Sequence, residues 1–277
     1  MGIDLDAYLA RIGYQGPVEP TVACLNGLHL AHVTTIPFEN IDIHLGRAIR
    51  LDLQSLQDKL VRARRGGYCF ENNSLLAAAL EEIGFGVTRL AARVHGGTGG
   101  RTHMVLRVEA EDSGWLADVG FGGGSILKPI PFEPGPVVEQ FGWRFRLVDD
   151  DAGRELQALR PEGWLGSYVF TLEPQLPIDY EIANHYTSTH PDSLFVRTLT
   201  AQLSSPERAL VLRGHTLIEM TPSGEVAIGV SDDEMLDVLA ERFTIELPEG
   251  TSLPRKARRR HTAGGIVGPN ARNGSGS

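Results

Sequence analysis

The sequence predicts an α+β fold in which helices come first and strands follow. Three observations carry that reading. Apolar residues recur at helical spacing through roughly the first 84 residues, and short β-branched or aromatic runs broken by Gly, Pro and Asp take over from Gly84. Beyond about residue 190, strand and helix patterns mix. The order lacks the strand–helix alternation that builds a parallel sheet, so an antiparallel sheet or barrel is the economical expectation.

Taken in order, DLDAYLARI (4–12) and TVACLNGLHLAHVTT (21–35) have helical spacing. SLQDKLVRARR (55–65) ends in the basic residues that suit a helix C-terminus, and ENNSLLAAALEEI (71–83) forms a helix closed by Gly84. GVTRLAARV (86–94), THMVLRVEA (102–110), WLADVGF (115–121), WRFRLVDD (143–150) and ELQALR (155–160) read as strands. SLFVRTLTAQL (193–203) fits helix or strand. RALVLRGHTLIEM (208–220) and GEVAIGV (224–230) are strands around the turn TPSG, and Ser231 and Glu234 stand in capping-box spacing ahead of the helix in SDDEMLDVLAERF. No internal repeat is present.

The 277 residues, 42% of them apolar, suffice for a large core, and no uninterrupted apolar run approaches the length of a membrane span. The opening MGIDLDAYLARIGY carries acids where a secretory leader would carry bases, so a cytoplasmic protein is expected. Two cysteines, Cys24 and Cys69, make neither a disulfide framework nor a CxxC motif, which fits a reducing compartment. The net charge of −9 is unevenly spread. Residues 255–277 hold six of the 26 Lys and Arg and none of the 35 acids, leaving −15 on the preceding body. Such a body is ill suited to polyanions, and the basic, Gly-rich tail reads as a solvated disordered end.

Cys69 sits in RRGGYCFENN, behind Gly66 and Gly67 and at the mouth of a helix. A thiol there faces unpaired backbone N–H groups and the positive end of the helix dipole, both of which favour thiolate. The two glycines then let the backbone approach a substrate and turn into the helix. Cys24, within the apolar run VACL, reads as a small buried hydrophobe.

A nucleophilic cysteine needs a base, and the base an orienting group. His103 opens the strand HMVLRVEA after a Gly-rich loop and is the best placed of nine histidines. His29 and His32, three residues apart, lack a Cys or carboxylate to complete a metal set and read as non-metal residues. Asp118, in the apolar WLADVGFGGG, must be hydrogen-bonded or paired, either as orienter or by bonding the Gly-rich turn that follows. If the hairpin between these strands turns at Asp112 and Ser113, His103 and Asp118 share a face but are offset by four residues. A turn at Ala110 and Glu111 puts them opposite one another.

RRGGYCFENN, RTHMVLRV, WLADVGFGG, TIPFENID (35–42) and NHYTSTHPDSLF (184–195) together resemble, in order and spacing, the arylamine N-acetyltransferases, over about residues 1–245. The resemblance implies a helical bundle over 1–84 carrying the nucleophile, a β-barrel over 85–190 carrying His and Asp, an α/β lid over 191–254, and a tail over 255–277. It implies a papain-like triad in which Cys69 accepts the acetyl group, His103 is the base and Asp118 the orienter. Phe38, Val94, Thr102, Phe121, Gly122 and Phe195 are then expected to line the cleft, with Phe38 near the aromatic acceptor and Arg64 paired with Glu39 beneath it. The implied activity is ping-pong N-acetylation of arylamines and arylhydrazines from acetyl-CoA, with no metal, nucleic acid or membrane partner; a homo-oligomer stays open. The same residues also fit a thiol hydrolase or amidase, or a non-catalytic CoA-binding relative. The GFGGG turn (120–124) offers amides to the coenzyme phosphates without GxGxxG spacing. Two departures from the family pattern are a short HGGTGGR loop (95–101) and a tail without helical pattern.

Overall fold

The computed structural model describes residues 2–94 and 99–253. Most of the loop expected to be short, and all of the basic tail, lie outside the described residues.

The N-terminal segment is helical because each helix has its own start and stop. Helix α1 (Leu5–Ile12) is capped by Asp4, which accepts from Ala7 N at 3.1 Å, and stops at Gly13 with φ +70°. Helix α2 (Val22–Thr35) is capped by Thr21 and ends ahead of Pro37. A two-residue strand β1 (Phe38–Glu39), the single turns α3 (Ile41–His44) and α4 (Leu53–Leu56), and helix α5 (Cys69–Ile83) complete the segment. The helix expected over 55–65 is α4 continued by a π-helical stretch, Gln57–Arg62. The buried Arg11 donates to Leu60 O at 2.9 Å and Arg64 O at 3.3 Å, satisfying carbonyls where this stretch ends.

Eight strands follow as one antiparallel sheet: β2 (Gly86–Val94), β3 (His103–Ala110), β4 (Ser113–Ala117), β5 (Ile130–Pro131), β6 (Val138–Gln140), β7 (Trp143–Asp150), β8 (Gly153–Arg160) and β9 (Gly163–Pro174). Their order is β5-β4-β3-β2-β9-β8-β7-β6, curled into a nearly closed barrel. The two ends meet through one side chain. Gln140 on β6 accepts from Leu127 N (2.8 Å) and Lys128 N (3.1 Å) and donates to Lys128 O (2.8 Å), just ahead of β5.

Within the span expected to be barrel, Pro177–Thr189 forms helix α6, started by Pro at its first position and by Asp179, which accepts from Leu176 N. SLFVRTLTAQL resolves into a short helix α7 (Leu194–Arg197) and strand β10 (Thr200–Ser204). Strands β11 (Ala209–Arg213), β12 (Thr216–Thr221) and β13 (Gly224–Gly229) extend a second sheet of order β1-β10-β11-β12-β13, so TIPFEN contributes a strand to the C-terminal sheet. Helix α8 (Met235–Phe243) covers it, preceded by the predicted exchange between Ser231 and Glu234. The main core runs continuously from the helical segment into the barrel, while Ile41, Ala201, Leu212, Leu239 and Phe243 belong to a smaller second core. Among the described residues no helix is long and apolar enough to cross a membrane.

Candidate active site

Cys69 is the first residue of α5 and is buried. The segment leading into it is fixed by Glu71, whose Oε2 accepts from Tyr68 N at 3.0 Å. The other Glu71 oxygen meets Lys59 Nζ at 2.8 Å, and Lys59 also reaches Asp42 at 2.9 Å. Gly66 and Gly67 serve this packing rather than a substrate. A Cβ on Gly66 would lie 2.1 Å from Pro37 O, and one on Gly67 2.7 Å from the Glu71 side chain. The chain here runs beside β1, with Glu39 N donating to Gly67 O at 3.0 Å. The ion pair expected from Arg64 is made by Arg65, whose Nη2 lies 2.6 Å from Glu39 Oε1. Arg64 has φ +52° and is exposed; that left-handed residue turns its neighbour inward.

His103 opens β3, and its Nε2 lies 2.8 Å from Asp118 Oδ2 with both side chains buried. The β3–β4 hairpin pairs Ala110 with Ser113, so it turns at Glu111 and Asp112, between the two centres considered from sequence. Both turn residues have positive φ, +50° and +59°, the backbone of a type I′ turn. This register puts Gly120 on the position opposite His103 and offsets Asp118 by two residues, a diagonal that side chains span. No bulge is needed. Asp118 lies one residue past the end of β4, not within a strand, and also bonds the turn that follows: its Oδ1 accepts from Gly120 N at 2.9 Å.

Two residues that sequence reading did not assign to the site hold Asp118 in place. Asn73, one turn beyond Cys69, donates from Nδ2 to Asp118 Oδ1 (2.9 Å) and Met104 O (2.8 Å), and accepts from Val119 N (2.9 Å). His29 Nε2 accepts from Asp118 N at 3.1 Å, while its Nδ1 donates to Leu127 O at 3.0 Å. His32 instead bonds the Tyr8 hydroxyl at 2.9 Å. Burial pushes His29 down to about 4, against the opposing pull of Leu127 O and Asp118, so its imidazole is neutral and can accept. Among the described residues no group of His, Cys, Asp or Glu is arranged to hold a metal.

The electrostatics of the His–Asp pair run the other way. Burial alone lowers His103, but the Asp118 carboxylate, its hydrogen bond and the Cys69 side chain outweigh it and raise the imidazole to about 10. Burial likewise works to raise Asp118, while the His103 charge and the bonds from His103, Asn73 and Gly120 hold it below the usual carboxylate range. The Cys69 side chain adds to the upward pull on the His103 ring, and its sulfur donates to Thr102 O at 3.5 Å. With Nε2 on Asp118, Nδ1 is the ring nitrogen left for sulfur. Gly120 completes the arrangement, since a Cβ there would lie 2.6 Å from Cys69 Cα.

The remaining expected residues lie around this centre. The Phe121 ring is 5.4 Å from the His103 ring, and Tyr168, paired with Val94 across the sheet, is 4.9 Å from it. The buried Tyr168 hydroxyl faces Asp118 without reaching hydrogen-bond geometry. Phe38 and Phe195 are in ring contact at 5.8 Å, and Phe195 also meets Tyr68 at 5.8 Å. Gly122 has φ +93° and is packed against Gln202, whose Oε1 accepts from Gly123 N at 2.6 Å. Two amides of the GFGGG turn, those of Gly120 and Gly123, are therefore already taken by side chains.

Comparison with known proteins bears directly on this arrangement. Residues 21–251 match the sequence profile of a family described as N-acetyltransferase. An arylamine N-acetyltransferase of Mycobacterium tuberculosis is 40% identical over 259 residues, covering 90% of this chain and 92% of that protein. The chain belongs to the arylamine N-acetyltransferase family. The crystal structure of the Nocardia farcinica arylamine N-acetyltransferase is similar with a TM-score of 0.83 and 46% identity, over 89% of this chain and 90% of that one. The Mycobacterium marinum arylamine N-acetyltransferase in complex with CoA is similar with a TM-score of 0.83 and 36% identity, over 87% and 93% of the two chains. The α+β architecture of barrel and helices is thus that of arylamine N-acetyltransferases, and the buried Cys–His–Asp cluster lies where α5 meets the barrel.

Proposed function

We propose that this chain transfers an acetyl group from acetyl-CoA to the nitrogen of arylamines and arylhydrazines, by a ping-pong route through Cys69. The observation that carries this reading is the buried thiol at a helix N-terminus, in the same site as a buried imidazole whose Nε2 lies 2.8 Å from the Asp118 carboxylate. Cys69 as thiolate attacks the thioester carbonyl, and CoA departs with a proton from His103. The amine nitrogen then attacks the acetyl-cysteine, His103 takes up its proton, and Cys69 leaves as thiolate. Asp118 stays ionised and fixes the ring. Aromatic amines suit this chemistry because their nitrogen is neutral at pH 7, whereas an alkylamine such as Lys, with pKa about 10.4, is mostly protonated.

Thr102 and Phe121, at the sulfur and the imidazole, and Val94, Gly122 and Phe195 are assigned to the cleft that receives the two substrates. Phe38, buried behind Phe195, supports the acceptor side. A reducing compartment, the cytoplasm, suits an enzyme that needs a free thiol. The test is mass spectrometry of the protein mixed with acetyl-CoA alone and then with an aniline-type amine. One acetyl group on Cys69 that disappears with formation of acetylated amine is expected. An unmodified protein, or equal turnover without amine, overturns the assignment. Cys69→Ala should abolish the adduct while leaving the fold intact.

A further inference from the structure

Strand β13 ends the second sheet; among the described residues no strand lies beyond it. Its outer edge carries few of the devices that usually block edge pairing, and its single charge is Glu225. Residues 224–230 read GEVAIGV, with no Lys, no Pro and an unbroken register against β12. Val226 and Ile228 are 63% and 54% exposed, unusual for two apolar residues on one face of one strand.

Which backbone groups face outward follows from the register. Val230 N donates to His215 O at 2.9 Å, so Val230, and with it Ile228, Val226 and Gly224, direct their N–H and C=O toward β12. Glu225, Ala227 and Gly229 therefore direct theirs away from the sheet. A partner strand must pair its own outward residues with these three. For a second copy of β13 running antiparallel, that condition leaves only odd-with-odd registers, and the one with greatest overlap has its two-fold axis at Ala227.

In that register Ala227 faces Ala227, and Glu225 faces Gly229 on each side, three hydrogen-bonded pairs that exchange six bonds. The pairs between them bring Val226 against Ile228 twice, in the non-hydrogen-bonded positions where side chains approach most closely. No two like charges stand opposite. The edge is complementary to itself in hydrogen bonding and sets no like charges against each other. We infer that two copies of this chain associate through β13, joining their five-stranded sheets into one ten-stranded antiparallel sheet about a two-fold axis at Ala227.

Sedimentation of the full chain tests this over a concentration series reaching about 200 µM, since a strand-edge contact is smaller than a standard interface and is expected to be weak. The weight-average mass should rise from 30.1 kDa toward twice that value. Ala227→Pro removes an outward N–H, which an edge strand tolerates, and should weaken association by about tenfold or more with unchanged melting and acetyl transfer. Register is read by cross-linking. A mixture of Val226→Cys and Ile228→Cys chains should form a disulfide-linked dimer under mild oxidation, and neither variant alone should do so. A monomer throughout the series, a dimer unaffected by Ala227→Pro, or no cross-link in the associating mixture overturns the inference.

Discussion

His103 keeps its proton far above the ordinary imidazole range because Asp118, 2.8 Å from Nε2, together with the Cys69 side chain outweighs the effect of burial. A group whose folded pKa is raised adds stability that is complete below its unfolded value of about 6.5 and is lost as pH rises. The loss should be finished near the folded value of about 10. In thermal melts over that window the wild type should lose more of its Tm than His103→Gln; parallel slopes would show that the pair does not carry this charge. His29 behaves oppositely, because its folded pKa of about 4 lies below the unfolded one. The unfolded chain takes up a proton first, so His29 costs stability as pH falls from about 6.5 toward 4. His29→Phe should flatten that acid limb. At neutral pH it should also cost about 1–3 kcal/mol, since it strands the buried Asp118 N–H, measurable by urea titration. Asp118 and His103 were legible in the sequence because an acid and a histidine beside Gly-rich turns are conspicuous. Asn73 and His29 were not, since nothing in ENNSLL or GLHLAH marks a side chain that bonds residues 45 and 89 positions away. Arg64 and Arg65 are indistinguishable as neighbours in a sequence, and only the positive φ of Arg64 decides which points inward.

At the scale of elements, the N-terminus of α5 and the turn that follows β4 touch without side chains between them. Gly120 is what permits it, with its Cα facing Cys69 Cα and the Asn73 amide. Gly120→Ala should push the thiol away from the imidazole and lower acetyl transfer by about 100-fold or more, as a displacement of about 1 Å commonly does. Comparing acetylation rate with the melting curve separates this from unfolding; unchanged activity would show that the contact can yield. Strands β2 and β7 match the sequence expectation residue for residue because apolar runs bounded by Gly and Asp mark both. The β3–β4 turn escaped reading because Glu111 and Asp112 carry no Asn-Gly signal, yet both adopt left-handed backbone. Glu111 also accepts from Val22 N at 3.0 Å, tying this turn to the start of α2. Helix α6 was hidden because its start signal, Pro177 with Asp179, stands directly after a twelve-residue strand in a region otherwise rich in strands.

Across the whole molecule, closure of the barrel and geometry of the site are one construction. Gln140 fixes Leu127 and Lys128 at the seam, Leu127 O fixes the His29 tautomer, and His29 fixes the backbone of Asp118. Gln140→Ala removes three hydrogen bonds at a buried seam and should cost about 2–4 kcal/mol. It should also slow Cys69 alkylation by iodoacetamide, although Gln140 belongs to no substrate contact; a stability loss with an unchanged alkylation rate would separate seam from site. The architectural class was readable from the order of helices and strands, but this linkage was not, because Gln140 looks like any surface amide. Asp118 is thus gripped from three sides: by His29 of α2, by Asn73 of the helix that bears the sulfur, and by His103 of the barrel wall. A chain with only its first helices in place holds the Cys69 thiol without His103 and Asp118, since both come from the barrel that follows.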